Sequence, residues 1–189
     1  MEVYWIGGVT CSGKSTLARL LAGRHGWAHY ETDAHFDRHA READAVRQPT
    51  MHAFQHDKGW NVWSRSLEGA EKAAVWLQFY RERFASIVAD LKACEGPVVA
   101  EGVELLPEAV DEIGQGGRGV WLVPTRAFFE RREGPVCDWD YYRDMIEQVG
   151  GQTEKLGLLL ILSDGAAAVE ETAAAVESRW GLGGPPTTP

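Results

Sequence analysis

Gly8-Val9-Thr10-Cys11-Ser12-Gly13-Lys14-Ser15 satisfies the pattern G-x-x-x-x-G-K-[ST] at every fixed position. Its flanks supply the setting that pattern needs. Val3-Tyr4-Trp5-Ile6, just before it, is a short apolar run that reads as a buried strand. Thr16-Leu17-Ala18-Arg19-Leu20-Leu21-Ala22, just after it, has helical composition and spacing. In such a strand–turn–helix unit the loop amides point inward and cradle phosphate oxygens, and the helix N-terminus adds its partial positive charge. Lys14 is placed to reach terminal phosphates and the Ser15 hydroxyl to coordinate Mg²⁺. Gly8 and Gly13 allow turns and close approaches that a Cβ forbids. The expected nucleotide-binding set is Gly8, Val9, Thr10, Cys11, Ser12, Gly13, Lys14, Ser15 and Thr16. Cys11 reads in two ways: a thiol made oxidation-sensitive by the helix N-terminus, or a small residue that fits the turn.

The 189 residues are enough for one domain with a small inserted subdomain. A formal net charge of −9 argues against a general nucleic-acid or membrane-surface binder and says nothing against ATP. Cys11, Cys94 and Cys137 form no CxxC pair or Cys/His cluster, which favours a reducing cytoplasm over a disulfide framework and excludes an evident zinc site. Met1-Glu2-Val3-Tyr4-Trp5 lacks the features of a signal peptide. Leu156-Gly157-Leu158-Leu159-Leu160-Ile161-Leu162 falls well short of the about 20 residues a bilayer requires and reads as a buried strand.

Strand and helix signals alternate along the chain. Strands are expected at about 2–6, 27–32, 98–100, 119–123 and 158–162. The first helix runs to about Arg24 and is closed by His25-Gly26. Residues 34–65 are charged, hold His35, His39, His52 and His56, and are broken by Pro49; they read as a partly helical insertion. Residues 66–93 carry Trp76, Phe79, Tyr80, Phe84, Ile87, Val88 and Leu91 at helical spacing. Short helices are expected at 107–113 and 125–133, a mobile flap with its own helix at 134–152, a last helix at 166–180, and a flexible tail from 181 to 189. Apolar strands separated by helices predict an α/β fold with a parallel sheet covered on both faces.

In such a sheet, ligands sit beyond the carboxyl ends of the strands. Strand two delivers Asp33 there, strand three Glu101 and Gly102, and strand four the segment with Arg126, Arg131 and Arg132. Attack by a hydroxyl on ATP needs a carboxylate that orients it and takes its proton, a role that suits Asp33; the alternative is an N-cap for the next helix. Glu101 is a candidate for holding Mg²⁺ or substrate hydroxyls, Gly102 for close approach of a ligand, and Glu104 is a weaker candidate. An arginine from the 126–132 segment is expected to stabilise phosphoryl-transfer charge, with Arg131 and Arg132 pointing to different faces. His35 and His39 are spaced as a metal pair but lack an obvious third ligand. Trp60, Trp63 and Trp76 read as core or as stacking surfaces for a ring-bearing acceptor, and Lys58, Arg65, Arg81 and Arg83 as a pool from which an acceptor contact is drawn.

These residues together make the chain resemble the P-loop small-molecule kinases, among them the nucleoside monophosphate, shikimate, gluconate and chloramphenicol kinases. The resemblance rests on Gly8 to Thr16, Asp33, the Val98-Val99-Ala100-Glu101-Gly102 strand end and the 126–132 arginines. It implies a P-loop NTPase three-layer sandwich with a five-stranded parallel sheet of order 2-3-1-4-5. It also implies a single domain over 1–180, with a substrate-binding insertion at 34–95 and a lid at 126–152, and the use of ATP with Mg²⁺. Asp33 matches the acid of the hydroxyl-phosphorylating members. Glu101 is the only acid at its strand end, where a D-x-D or Walker B aspartate would be expected. The adenine site is expected near Ser163, Asp164 and Gly165. The reading that follows is a kinase placing phosphate on a small-molecule hydroxyl, as a monomer or homodimer; a nucleoside or nucleotide kinase and a P-loop ATPase or switch module are the alternatives.

Overall fold

The computed structural model describes residues 1–133 and 138–182. Five parallel strands form one sheet in the order β2-β3-β1-β4-β5. β1 is Glu2–Gly8, β2 Ala28–Glu31, β3 Pro97–Glu101, β4 Gly119–Pro124 and β5 Leu159–Ser163. The sheet order is the one the resemblance implies.

Alternation along β1 builds two cores. Val3 and Trp5 face one side, where they pack with Phe79, Phe84, Ile87, Trp121 and Val149. Tyr4 and Ile6 face the other, against Leu17 and Leu21 of α1 (Lys14–His25) and Ala173 and Val176 of α9 (Val169–Arg179). Both faces of the central strands are thus buried, which is why their sequences are apolar without alternation. β5 is different. It lies at the sheet edge, its residues are only partly covered, and Leu162 is 63 % exposed. The expected buried strand is therefore a half-open edge strand.

Between β2 and β3 the chain is more helical than the sequence indicates. A 3-10 turn, Thr32–His35, leads into α2 (Phe36–Arg41), α3 (Pro49–His56), α4 (Lys58–Ser66) and α5 (Gly69–Lys92). The start of α3 has no cap of its own. Glu82, on α5, accepts from the Thr50 and Met51 amides at 2.8 and 3.0 Å and from the Thr50 hydroxyl at 2.8 Å. A carboxylate distant in sequence thus does the capping.

After β3 come α6 (Pro107–Glu112) and a 3-10 turn, Gly116–Arg118; after β4 come α7 (Arg126–Glu133) and α8 (Trp139–Lys155). α8 packs along α5 and against β4. Residues 134–137 of the expected flap, with Cys137, and 183–189 of the expected tail lie outside the described residues. No helix among the described residues is long and apolar enough to cross a membrane.

Candidate active site

The turn from β1 into α1 is shaped by backbone conformations that few residues adopt. Gly8 has φ +123°, and a Cβ there would sit 2.0 Å from the Leu122 carbonyl oxygen. Gly13, at φ +96°, is the N-cap of α1 and provides no side chain to cap it, so the first amides of that helix stay available. Cys11 also has positive φ, at +60°. The Val9 amide donates to Leu122 at 3.1 Å and Ser163 Oγ to the Ser12 carbonyl at 2.7 Å, tying the loop to β4 and β5. The Ser12 hydroxyl is buried with no partner among the described residues.

Lys14 is 7 % exposed, and its ammonium donates to the Val9 carbonyl at 2.8 Å. Burial lowers its pKa from the usual lysine value, and the charges of Glu101, Glu104 and Asp33 act in the opposite direction. Three strand-end acids therefore share the field of one buried cation. Glu101 is buried, which raises its pKa; the Ser15 hydroxyl beside it and the Lys14 charge oppose that rise. Ser15 and Glu101 together are the pair suited to a divalent cation.

Asp33 sits in the 3-10 turn after β2 and is exposed. It caps no helix: α2 has His35 at its N-cap position and no side-chain cap. No hydrogen bond or ion pair among the described residues engages its carboxylate. Thr32, just before it, is held firmly. Its hydroxyl donates to Glu104 Oε2 at 2.6 Å, and the Arg83 guanidinium donates to the Thr32 carbonyl and to Glu104 Oε1.

Arg83 is fully buried and lies over the Phe36 ring at 4.8 Å. Its Nε donates to His39 Nδ1 at 3.3 Å, which leaves the proton of that imidazole on Nε2, 2.9 Å from Asp90. Asp90 also accepts from Tyr30 and Arg38, and these bonds bring its pKa from 3.8 to about 2 despite desolvation, the largest single influence, acting upward. His39 is thus a structural link between two charges. His35 stacks on the Tyr30 ring at 4.5 Å. His29 lies with two acids, Glu31 and Glu101, so that the ligating atoms of the three fall within 4.8 Å of one another. The alternation His29-x-Glu31 on a strand was the sequence signal for that face; the register opposite Glu101 was not readable.

Gly102 is close-packed, but against its own chain. A Cβ there would meet Thr32 Oγ1 at 1.9 Å and Glu104 Oε2 at 2.8 Å. The space expected for a ligand over Gly102 is filled by that pair. Glu104 itself is 2 % exposed.

The α7 arginines divide. Arg126 is exposed and pairs with Glu130 at 2.7 Å. Arg131 donates to the Asp164 carbonyl at 2.7 Å, anchoring the loop after β5. Arg132 lines a cavity of about 280 Å³ together with Gly13, Thr16, Phe128, Leu162 and Ser163. That cavity opens beside the phosphate loop where the adenine site is expected, and Leu162, exposed at the sheet edge, forms part of its apolar wall. Cys11 is not activated: its thiol donates to Glu133 at 2.7 Å, and burial and that carboxylate push its pKa up to about 11. The oxidation-sensitive reading of Cys11 is therefore corrected: desolvation and a carboxylate outweigh the helix N-terminus.

A second cavity, of about 430 Å³, has the Thr10 side of the loop in its wall and is otherwise formed by α5, the end of α7 and α8. Trp76, Tyr80, Tyr141 and Tyr142 line it. Trp76 is both core and surface, packing edgewise on Phe54 and Trp60 while facing this space. Trp60 is 5 % exposed and belongs to the core, whereas Trp63 is 48 % exposed. Arg81 is occupied by Glu108 at 3.0 Å.

No family model matches the sequence, and no curated protein matches it. Solved structures do. A shikimate kinase from Aquifex aeolicus matches with TM-score 0.54 and 21 % identity over 97 % of this chain and 100 % of the other. A gluconokinase from Sinorhizobium meliloti matches with TM-score 0.54 and 14 % identity over 95 % and 91 %. A sugar kinase from Janibacter matches with TM-score 0.51 and 17 % identity over 96 % and 95 %. With its strand order, its phosphate loop between β1 and α1 and these likenesses over nearly its whole length, the chain has the fold of the P-loop small-molecule kinases.

Proposed function

We propose that this chain is an ATP-dependent phosphotransferase that moves the γ-phosphate to a hydroxyl of a small molecule: a metabolite, a sugar or an antibiotic-like natural product. One observation carries the reading. The Asp33 carboxylate, exposed after β2 and without a hydrogen-bond or ion-pair partner among the described residues, shares the field of the buried Lys14 ammonium in the phosphate loop.

The residues fit a magnesium nucleotide. The orphaned Ser12 hydroxyl, the uncapped amides at Gly13 and the crowding that excludes a Cβ at Gly8 make a cradle for phosphate oxygens. The base is assigned to the cavity walled by Phe128 and Leu162. Ser15 and Glu101 would hold Mg²⁺, which would supply neutralising positive charge to the phosphates. Lys14 leaves its single carbonyl partner to meet the terminal phosphates. Arg132, on the cavity wall, is the α7 arginine assigned to the phosphates; Arg126 and Arg131 are held by Glu130 and Asp164. Asp33 orients the acceptor hydroxyl and takes its proton as the oxygen bonds to phosphorus and ADP departs. Thr32, pinned on both its hydroxyl and its carbonyl, fixes the backbone from which Asp33 projects.

We take 34–95 as the acceptor-binding part and 126–152 as the lid of a single kinase domain over 1–180. A reducing cytoplasmic location accords with Cys11 and Cys94 being free. The test is ADP release with Mg·ATP across a panel of hydroxylated metabolites, sugars, nucleosides and antibiotics. Acceptor-dependent release that disappears in Asp33→Asn, with ATP binding retained, supports the reading. Equal release without any acceptor would replace it with an ATPase or switch module.

A further inference from the structure

We infer that the acceptor is a ring-bearing alcohol carrying no carboxylate or phosphate, bound in the aromatic cavity between α5 and α8; this rests on the kinase reading above. The cavity of about 430 Å³ lies in the range of small-molecule sites, and Thr10 of the phosphate loop forms part of its wall. Four rings, those of Trp76, Tyr80, Tyr141 and Tyr142, offer faces and edges to a ring. The Tyr80 hydroxyl is buried beside Tyr141 and feels the Glu104 charge, which also acts on Lys14.

Charge decides the rest. An anionic ligand requires an unpaired cation, best an arginine fork. Lys72 is the one lysine or arginine among the described residues lining this cavity, and its ammonium is bound to Asp138 at 2.6 Å and lies 5.0 Å over the Tyr141 ring. Glu133 adds a second negative charge to the wall. Arg83, deeper on α5, is fully buried and already bonded to Glu104, Thr32 and His39. Residues 134–137 and 183–189 contain no lysine or arginine, so no further cation can come from them. A carboxylate or phosphate on the acceptor would enter a wall of net negative charge. A shikimate kinase and a gluconokinase share this fold; the charge pairing here argues against an acidic acceptor.

The test uses matched pairs that differ in the charged group: 1-phenylethane-1,2-diol against mandelate, and phenyl β-glucoside against phenyl β-glucuronide. Binding to the full chain is followed by ligand-observed NMR in the presence of Mg·ADP, and transfer by ADP release from Mg·ATP. The expected result is that the alcohols bind at least tenfold more tightly than their acids and that Trp76→Ala weakens the alcohols. Asp138→Asn, which keeps an N-cap for α8 while freeing Lys72, should raise acid binding about tenfold relative to alcohol binding. Acids binding as well as alcohols in the unaltered chain, neither alcohol binding, or no gain for acids in Asp138→Asn overturns the inference. Transfer to mandelate in preference to the diol also overturns it while sustaining the kinase reading. Binding of the diols with this selectivity but no transfer to any acceptor upholds the ligand class and counts against the kinase reading.

Discussion

Lys14 and Arg83 are both buried cations, 7 % and 0 % exposed, and they are held in opposite ways. Lys14 donates to one backbone carbonyl and meets Glu101, Glu104 and Asp33 only through space. Arg83 spends its donors on a carboxylate, a carbonyl and an imidazole, with an aromatic ring beneath it. A buried cation without an anionic partner is costly in the free protein and rewards a ligand that brings an anion; a fully bonded one is architecture. The same division separates the acids. Asp33 has no hydrogen-bond or ion-pair partner among the described residues, whereas Asp90 accepts from Tyr30, Arg38 and His39. The unpaired set surrounds the phosphate loop, and the paired set lies behind the turn that carries Asp33.

The largest expected effect breaks the unpaired side. Asp33→Asn should lower kcat about 10²–10⁴-fold with ATP affinity and melting temperature unchanged, as read by steady-state kinetics and thermal denaturation. A loss of stability instead would make Asp33 part of the architecture. On the paired side, Arg83→Met leaves Glu104 buried without its cation and should cost about 3–5 kcal/mol in denaturant unfolding. Combining it with Glu104→Leu should recover much of that loss.

Asp90→Asn should cost about 1–3 kcal/mol, because Arg38 and His39 lose a charged acceptor. It also changes the acid limb. The Asp90 pKa falls from 3.8 to about 2 on folding, so its contribution is full above the higher value and is lost as pH drops through the lower one. Unfolding between about pH 4 and pH 2 should therefore be less pH-dependent in Asp90→Asn. The smallest effect concerns Cys11. Glu133→Gln removes a charge and weakens the acceptor that help hold its pKa near 11, so alkylation at pH 8 should speed up by as much as about tenfold.

The legible parts of this protein were local. Gly8 to Ser15 fix a strand–turn–helix unit by spacing alone, and the apolar runs at Val98 and Val120 mark strands buried on both faces. That Asp33 and Glu101 follow neighbouring strand ends was readable from the strand pattern, whereas Arg126, Arg131 and Arg132 were not distinguishable in the sequence. What escaped was settled over long range. α3 is capped by Glu82 from another helix, so its start has no local signature. Arg83 was one basic residue among several until the sheet brought Glu104 and Thr32 to it. The 158–162 run looked buried because apolarity does not distinguish a central strand from an edge strand whose exposed leucine forms a cavity wall. Tyr141 and Tyr142 join Trp76 only through the packing of α8 on α5.

Calorimetric titration of Mg·ATP into the unaltered chain and into Lys14→Met tests the account most directly. The unaltered protein should bind one nucleotide, and the variant should lose about 2–5 kcal/mol of binding free energy while remaining at least as heat-stable, because its buried charge is gone. Equal affinity in the two proteins, or no binding by the unaltered one, would contradict the assignment of Lys14 and its loop as the nucleotide's anchor.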